Sequence, residues 1–152
     1  MKRRYLIGVG NETMTDDGIG PRLAEALRAE AAERGFETVV IGHDTVGVLS
    51  YFDDNTEQIV FVDCALMGRT PGEWATFSPD DVETQKPTKA ISTHESDLLR
   101  IIHLARQLGL AAPPIAILGI EPERVDPGLA LSATLQARFD EYLAAARPLL
   151  AK

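Results

Sequence analysis

The sequence predicts a single three-layer α/β/α domain on a five-stranded, mostly parallel sheet whose fourth strand is antiparallel at an edge. Three observations predict it. Short apolar runs alternate with amphipathic segments along the chain, the pattern of βα units. Only Cys64–Gly72 separates the third run from the fourth, too little for a parallel crossover, which takes roughly a dozen residues. The length, 152 residues, suits one core and is short for two, so residues 1–152 are read as one domain.

Tyr5–Gly10 is an apolar run closing on Gly-x-Gly-Asn, a buried strand entering a loop. Pro21 suits the first turn of a helix, Leu23, Leu27 and Ala31 give it one apolar face, and Gly35 stops it. Phe36–Ile41 is the second strand, and Thr45–Phe52 a short helix or turn. Ile59–Asp63 is the most strand-like run and belongs at the sheet centre. Glu73–Phe77 is the fourth strand, ended by Ser78-Pro79, and Asp80–Lys89 is expected to be a loop. Ser92 with Glu95 forms a capping-box pattern, and Leu98, Ile101, Ile102, Ala105 and Leu108 continue a helix to Gly109. Ile115–Ile120 is the fifth strand. A last helix is expected from Ser132, with Leu135, Phe139, Leu143 and Ala146 on one face, stopping by Pro148.

Composition excludes several classes of function. Fifteen basic residues against 23 acidic give a net charge of −8, with no basic cluster to neutralise phosphates, so nucleic acid is not an expected partner. The single cysteine, Cys64, excludes a disulfide framework and reads as a small buried residue. No apolar run reaches ~18 residues, so no membrane span is expected. Met1-Lys2-Arg3-Arg4 resembles a signal n-region, but the apolar stretch behind it ends at Gly10-Asn11. The expected setting is the cytoplasm, and the expected state a monomer.

In sheets of this kind, ligands bind beyond the strand C-termini. Three loops qualify: Gly10–Gly20, Asp63–Gly72 and Ile120–Gly128. Gly8-Val9-Gly10-Asn11 invites a dinucleotide reading with Asp44 as the ribose-binding acid, but Thr13 stands at the third glycine position. Asp16 and Asp17 also lie where a phosphate would sit, and would repel it. Asp16 reads either as a helix cap or as part of a site, with Asp17 the spare carboxylate. Asp63 closes the central strand. His94 falls in the first turn of a helix, where a neutral imidazole is favoured; His103, mid-helix, reads as a surface residue. His43 and Asp44, just after strand two, belong either to the crevice or to a solvated turn. Asp17, Asp63 and His94 together make two oxygen ligands and one nitrogen with positions open, a set that suits an incompletely coordinated transition metal.

Gly8-Val9-Gly10-Asn11 followed by Asp16-Asp17-Gly18-Ile19-Gly20-Pro21 resembles the opening motif of the nickel–iron hydrogenase maturation endopeptidases. The likeness continues through Asp63 and His94. It closes on Gly119-Ile120-Glu121-Pro122-Glu123 with Gly128, Leu131 and Ser132, so it spans nearly the whole chain. It implies removal of a C-terminal extension from a hydrogenase large-subunit precursor after nickel insertion. It further implies that Asp17, Asp63 and His94 contact nickel supplied by the precursor, with Asp16 or Asp17 as general base. The family often has Asp-Gly-Gly-Thr after strand two, where this chain has Gly42-His43-Asp44-Thr45. No Gly-x-Ser-x-Gly elbow or His-Glu-x-x-His helix supports serine or zincin chemistry. Two other readings are a nickel-dependent docking module that does not cut, and the nucleotide-dependent oxidoreductase.

Overall fold

The computed structural model describes residues 2–42, 44–83 and 94–151, and of residues 82–83 and 94–97 the backbone only. His43, Ser92 with its capping box, and residues 84–89 of the expected loop lie outside that description. The strands are β1 (Arg3–Val9), β2 (Phe36–Ile41), β3 (Thr56–Cys64), β4 (Trp74–Phe77) and β5 (Ile115–Ile120). Their order is β2-β1-β3-β5-β4, with β1, β2, β3 and β5 parallel and β4 antiparallel to β5 at the edge. The short connection from β3 thus acts as expected, and β3 lies at the centre.

Alternation along the strands sorts the core into two layers. Leu6, Val60, Val62, Leu118 and Ile120 meet Ile19, Leu23, Leu27 and Ala31 of α1 (Ile19–Glu33), and Leu135, Tyr142 and Ala146 near the C-terminus. Tyr5, Ile7, Val9, Ile59 and Phe61 point the other way, onto Val48 and Phe52 of a 3-10 segment and Leu98, Ile102 and Ala105 of the helix His94–Gln107. Cys64 belongs to the α1 layer. Asp63, one residue earlier, therefore faces the side of the helix that begins at His94.

Glycines set how closely α1 approaches the sheet. A Cβ on Gly8 would lie 2.5 Å from the Gly20 carbonyl oxygen, and one on Gly20 would lie 2.4 Å from those of Val9 and Val62. The first turn of α1 therefore rests backbone on backbone across β1 and β3. This seats the preceding 3-10 turn, Thr15–Gly18, over the strand ends.

Two expectations are corrected. Residues 79–83 are helical (α2, Pro79–Glu83), not loop. Pro79 supplies a preset φ, and Ser78 and Asp81 cap reciprocally: Ser78 N–H donates to Asp81 Oδ2 at 2.9 Å, and Asp81 N–H to Ser78 Oγ at 3.4 Å. With α3 as His94–Gln107, the last helix is two, α4 (Ala133–Ala137) and α5 (Phe139–Ala146), followed by a 3-10 turn over Arg147–Leu150 that runs through Pro148. Ser132 caps α4, its Oγ accepting from Leu135 N–H. Beyond the break at Arg138, Tyr142 takes the core position and Phe139 and Leu143 are only partly buried. The ring is buried completely because its hydroxyl finds the Gly72 carbonyl at 2.7 Å. Among the described residues, no helix is long and apolar enough to cross a membrane.

Candidate active site

The loops leaving β1, β3 and β5 meet at one edge of the sheet. Gly10 turns the chain out of β1 at φ +146°, where a side chain would collide with the Asp17 carbonyl. Thr15, at φ +44°, is a non-glycine residue in the left-handed region. Its Oγ donates to the Arg124 carbonyl at 2.9 Å and accepts from Asp126 N–H at 3.1 Å. Thr15 N–H donates to the Gly128 carbonyl and Gly128 N–H to that of Thr13, closing a short parallel bridge between the first loop and the last.

Asp16 completes that junction. Its Oδ2 accepts from the N–H groups of Glu123 and Arg124 at 2.9 and 3.1 Å, and its Oδ1 from Ser132 N–H at 2.7 Å. The side chain is fully buried. The helix-cap reading fails: Gly18 is the N-cap of α1 and receives no side-chain bond. Asp16 instead braces the final loop against the first, its two oxygens accepting from three backbone N–H groups.

Asp17 lies beside it in the same 3-10 turn, only 4% exposed, with Oδ2 accepting from Asn11 N–H at 3.0 Å. Asp63 is fully buried at the end of β3, opposite Val9 of β1 and Gly119 of β5. The start of α3 comes to the same edge of the sheet, because α3 must run back toward the beginning of β5. The backbone of His94 is therefore at the crevice end of its helix, while its imidazole lies outside the described residues. His103 is exposed on the outer face, as its surface reading expects. Asp44 is exposed and caps the 3-10 segment Thr45–Tyr51, accepting from Val46 N–H.

Glu121 is a buried acid that the sequence reading passed over. Its Oε1 accepts from Met67 and Arg69 N–H at 2.8 and 3.1 Å, holding the loop that follows Asp63. The signal was present: like Asp63, it is an acid at the C-terminal end of a buried strand. Cys64 registers the charge gathered here. Burial pushes its thiol pKa upward, and Asp63, Asp17, Asp16 and Glu121 push it further the same way. The thiol is buried and protonated, as its apolar reading expects. Among the described residues, no group of three His, Cys, Asp or Glu could by itself hold a metal ion.

The dinucleotide reading loses its basis in this geometry. Gly8, Gly10 and Gly20 are filled by the chain's own backbone, and buried carboxylates occupy the place of a phosphate.

Comparison with known proteins identifies relatives of the chain and of its fold. A family model described as hydrogenase maturation protease matches residues 21–147. The hydrogenase 3 maturation protease of Escherichia coli K12 is 32% identical over 123 residues, covering 79% of this chain and 73% of that protein. The hydrogenase 2 maturation protease of the same strain is 26% identical over 143 residues, covering 93% and 86%. Among solved structures, the [NiFe] hydrogenase maturation protease HybD from Thermococcus kodakarensis superposes with a TM-score of 0.78 at 26% identity, covering 97% of this chain and 99% of that one. The hydrogenase maturating endopeptidase HybD from E. coli gives 0.77 at 25% identity, covering 97% and 93%.

Proposed function

We infer that this chain, which belongs to the hydrogenase maturation protease family, removes the C-terminal extension of a nickel–iron hydrogenase large-subunit precursor once nickel is in place. The enzyme is an endopeptidase and hence a hydrolase. One observation carries the reading of the site. Two buried carboxylates, Asp17 of the 3-10 turn and Asp63 at the end of β3, come to one sheet edge, where the helix bearing His94 also begins. In this reading the precursor brings the nickel, and Asp17, Asp63 and His94 recognise it. Oxygen and nitrogen donors with open positions suit such a borrowed ion, and recognition through it makes cutting conditional on insertion.

Hydrolysis adds water across the scissile peptide bond, oxygen to the carbonyl carbon and a proton to the leaving amine. A carboxylate takes the water's proton as the C–O bond forms and returns it to the nitrogen as the C–N bond breaks. Asp16 holds three backbone N–H groups, so the role falls to Asp17 in this reading. The substrate's metal polarises the carbonyl it lies against. The working enzyme is a cytoplasmic monomer that needs no resident cofactor.

The test is to incubate the protein with nickel-loaded and nickel-free precursor and measure the mass of the large subunit. Loss of the extension from the loaded form alone is expected. Binding without a mass change makes the protein a docking module, and equal cutting of both forms removes nickel recognition from the mechanism.

A further inference from the structure

Leu129 is 75% exposed, Leu66 46% and Val125 44%. They stand on the loops leaving β3 and β5, whose backbones Glu121 and Asp16 hold. A lone exposed leucine needs no explanation, but these three ride on loops held with unusual thoroughness. The loop 121–132 is fastened through Asp16 to three of its N–H groups, and through Thr15 and Thr13 to Arg124, Asp126 and Gly128. The Arg22 guanidinium donates to the carbonyl of Leu129 itself. The loop at 65–72 is fastened by Ala65 N–H to the Ile120 carbonyl, by Glu121 Oε1 to Met67 and Arg69, and by Gly72 N–H to the Glu121 carbonyl. Segment 120–124 thus holds the loop at 65–72 through Ile120 and Glu121, and is itself held by Asp16 through the N–H groups of Glu123 and Arg124. Its neighbours therefore carry apolar side chains outward on a rigid frame, so little conformational freedom remains to be lost when something covers them.

We propose that Leu66, Val125 and Leu129 form an apolar docking rim on which the folded body of the precursor seats. This rests on the function proposed above and names the surface that selects the substrate. The occupant follows from charge and continuity. A chain of net charge −8, with Asp16, Asp17, Asp63 and Glu121 gathered at this edge, repels an acidic partner and favours one presenting a cation inside an apolar face. The rim is continuous with the site because the segment that holds it also braces Asp16. Two grooves among the described residues lie elsewhere. Neither the ≈ 360 Å³ groove bounded by Glu12, Arg22 and Phe139 nor the ≈ 390 Å³ groove between Trp74 and Pro148 includes Asp17, Asp63 or Glu121.

The experiment uses the Leu66→Ser/Leu129→Ser double variant, with Leu108→Ser as a control at the opposite end of the sheet. Processing of the nickel-loaded precursor is followed by mass over a range of precursor concentrations, beside thermal melts. KM should rise about ten-fold or more with kcat nearly kept and the melting midpoint unmoved, because the rim contributes binding rather than chemistry. Leu108→Ser should change neither constant. A double variant with wild-type KM, or with kcat lost at constant KM, overturns the rim. If the wild-type protein binds the precursor but never cuts it, the functional reading fails, and the rim is then judged by binding: loss of affinity in the double variant upholds it, and equal affinity overturns it.

Discussion

Asp16 and Asp63 are both fully buried carboxylates, yet they answer to different measurements. In Asp16→Asn, one of the two oxygens becomes an amine facing an N–H group, because Oδ1 serves Ser132 and Oδ2 serves Glu123 and Arg124. An unsatisfied buried donor costs about 1–3 kcal/mol, which lowers the melting midpoint by roughly 2–10 °C for a chain of this length. Asp63→Asn keeps the shape of a residue argued to act as a ligand, so processing should vanish while the midpoint stays within about 2 °C. A cooperative melt far below wild type, with activity kept per folded molecule, would make Asp63 structural. The division of labour between Asp16 and Asp17 could not be read from the chain. Two adjacent acids before a helix look alike until the partners of Asp16, 107 to 116 residues away, are known. Those partners are backbone N–H groups, which carry no sequence signature.

At the scale of elements, what was legible depended on punctuation. Phe36–Ile41 and Ile115–Ile120 begin and end where expected because Gly35, Gly42, Pro114 and Pro122 bound them. The orientation of β4 followed from connection length alone. The division of the last helix at Arg138 did not, since no glycine or proline marks it. Close approach of elements is testable through Gly20→Ala. Its Cβ would meet two carbonyl oxygens at 2.4 Å, so α1 must lift from the sheet. A loss of roughly 3 kcal/mol or more is expected in denaturant unfolding, whereas Gly42→Ala, with open space around it, should cost almost nothing. Tyr142 ties α5 to the turn before β4. Burial, with Glu141 and Asp16 adding and Arg138 opposing, pushes its hydroxyl up to about 12 from an ordinary value of 10.0. The folded-state value is the higher one, so the stabilisation is complete below pH 10 and is lost as pH rises through 12, by as much as about 3 kcal/mol. Tyr142→Phe should lose about 1 kcal/mol at neutral pH with its hydrogen bond and flatten that alkaline slope. A variant whose stability still falls between pH 10 and 12 as in wild type would assign the slope to another group.

For the molecule as a whole, the acidic balance and the topology act at one place. A parallel sheet sends its loops to a common edge, and this chain puts Asp16, Asp17, Asp63 and Glu121 there, close enough that all four act on the Cys64 thiol. Three of these acids accept from backbone N–H groups, Asp16 from the last loop, Glu121 from the loop after β3 and Asp17 from Asn11. Asp17, Asp63 and the helix-borne His94 are the set argued to meet nickel, short of the four or more ligands a tightly held ion takes. The free enzyme should therefore purify largely without nickel. A ligand near its dissociation constant stabilises by RT ln 2, about 0.4 kcal/mol. Nickel at about 100 μM should accordingly raise the melting midpoint by only about 1–2 °C if its affinity is of that order. In the presence of the precursor the same three side chains complete a coordination shell that the substrate has begun, so Asp17→Asn and His94→Gln should each weaken binding of the nickel-loaded form while leaving the nickel-free form untouched. One ion per chain surviving dialysis against chelator would contradict this and make the protein a self-contained metalloenzyme. Equal binding of both precursor forms by all three proteins would separate recognition from the metal altogether.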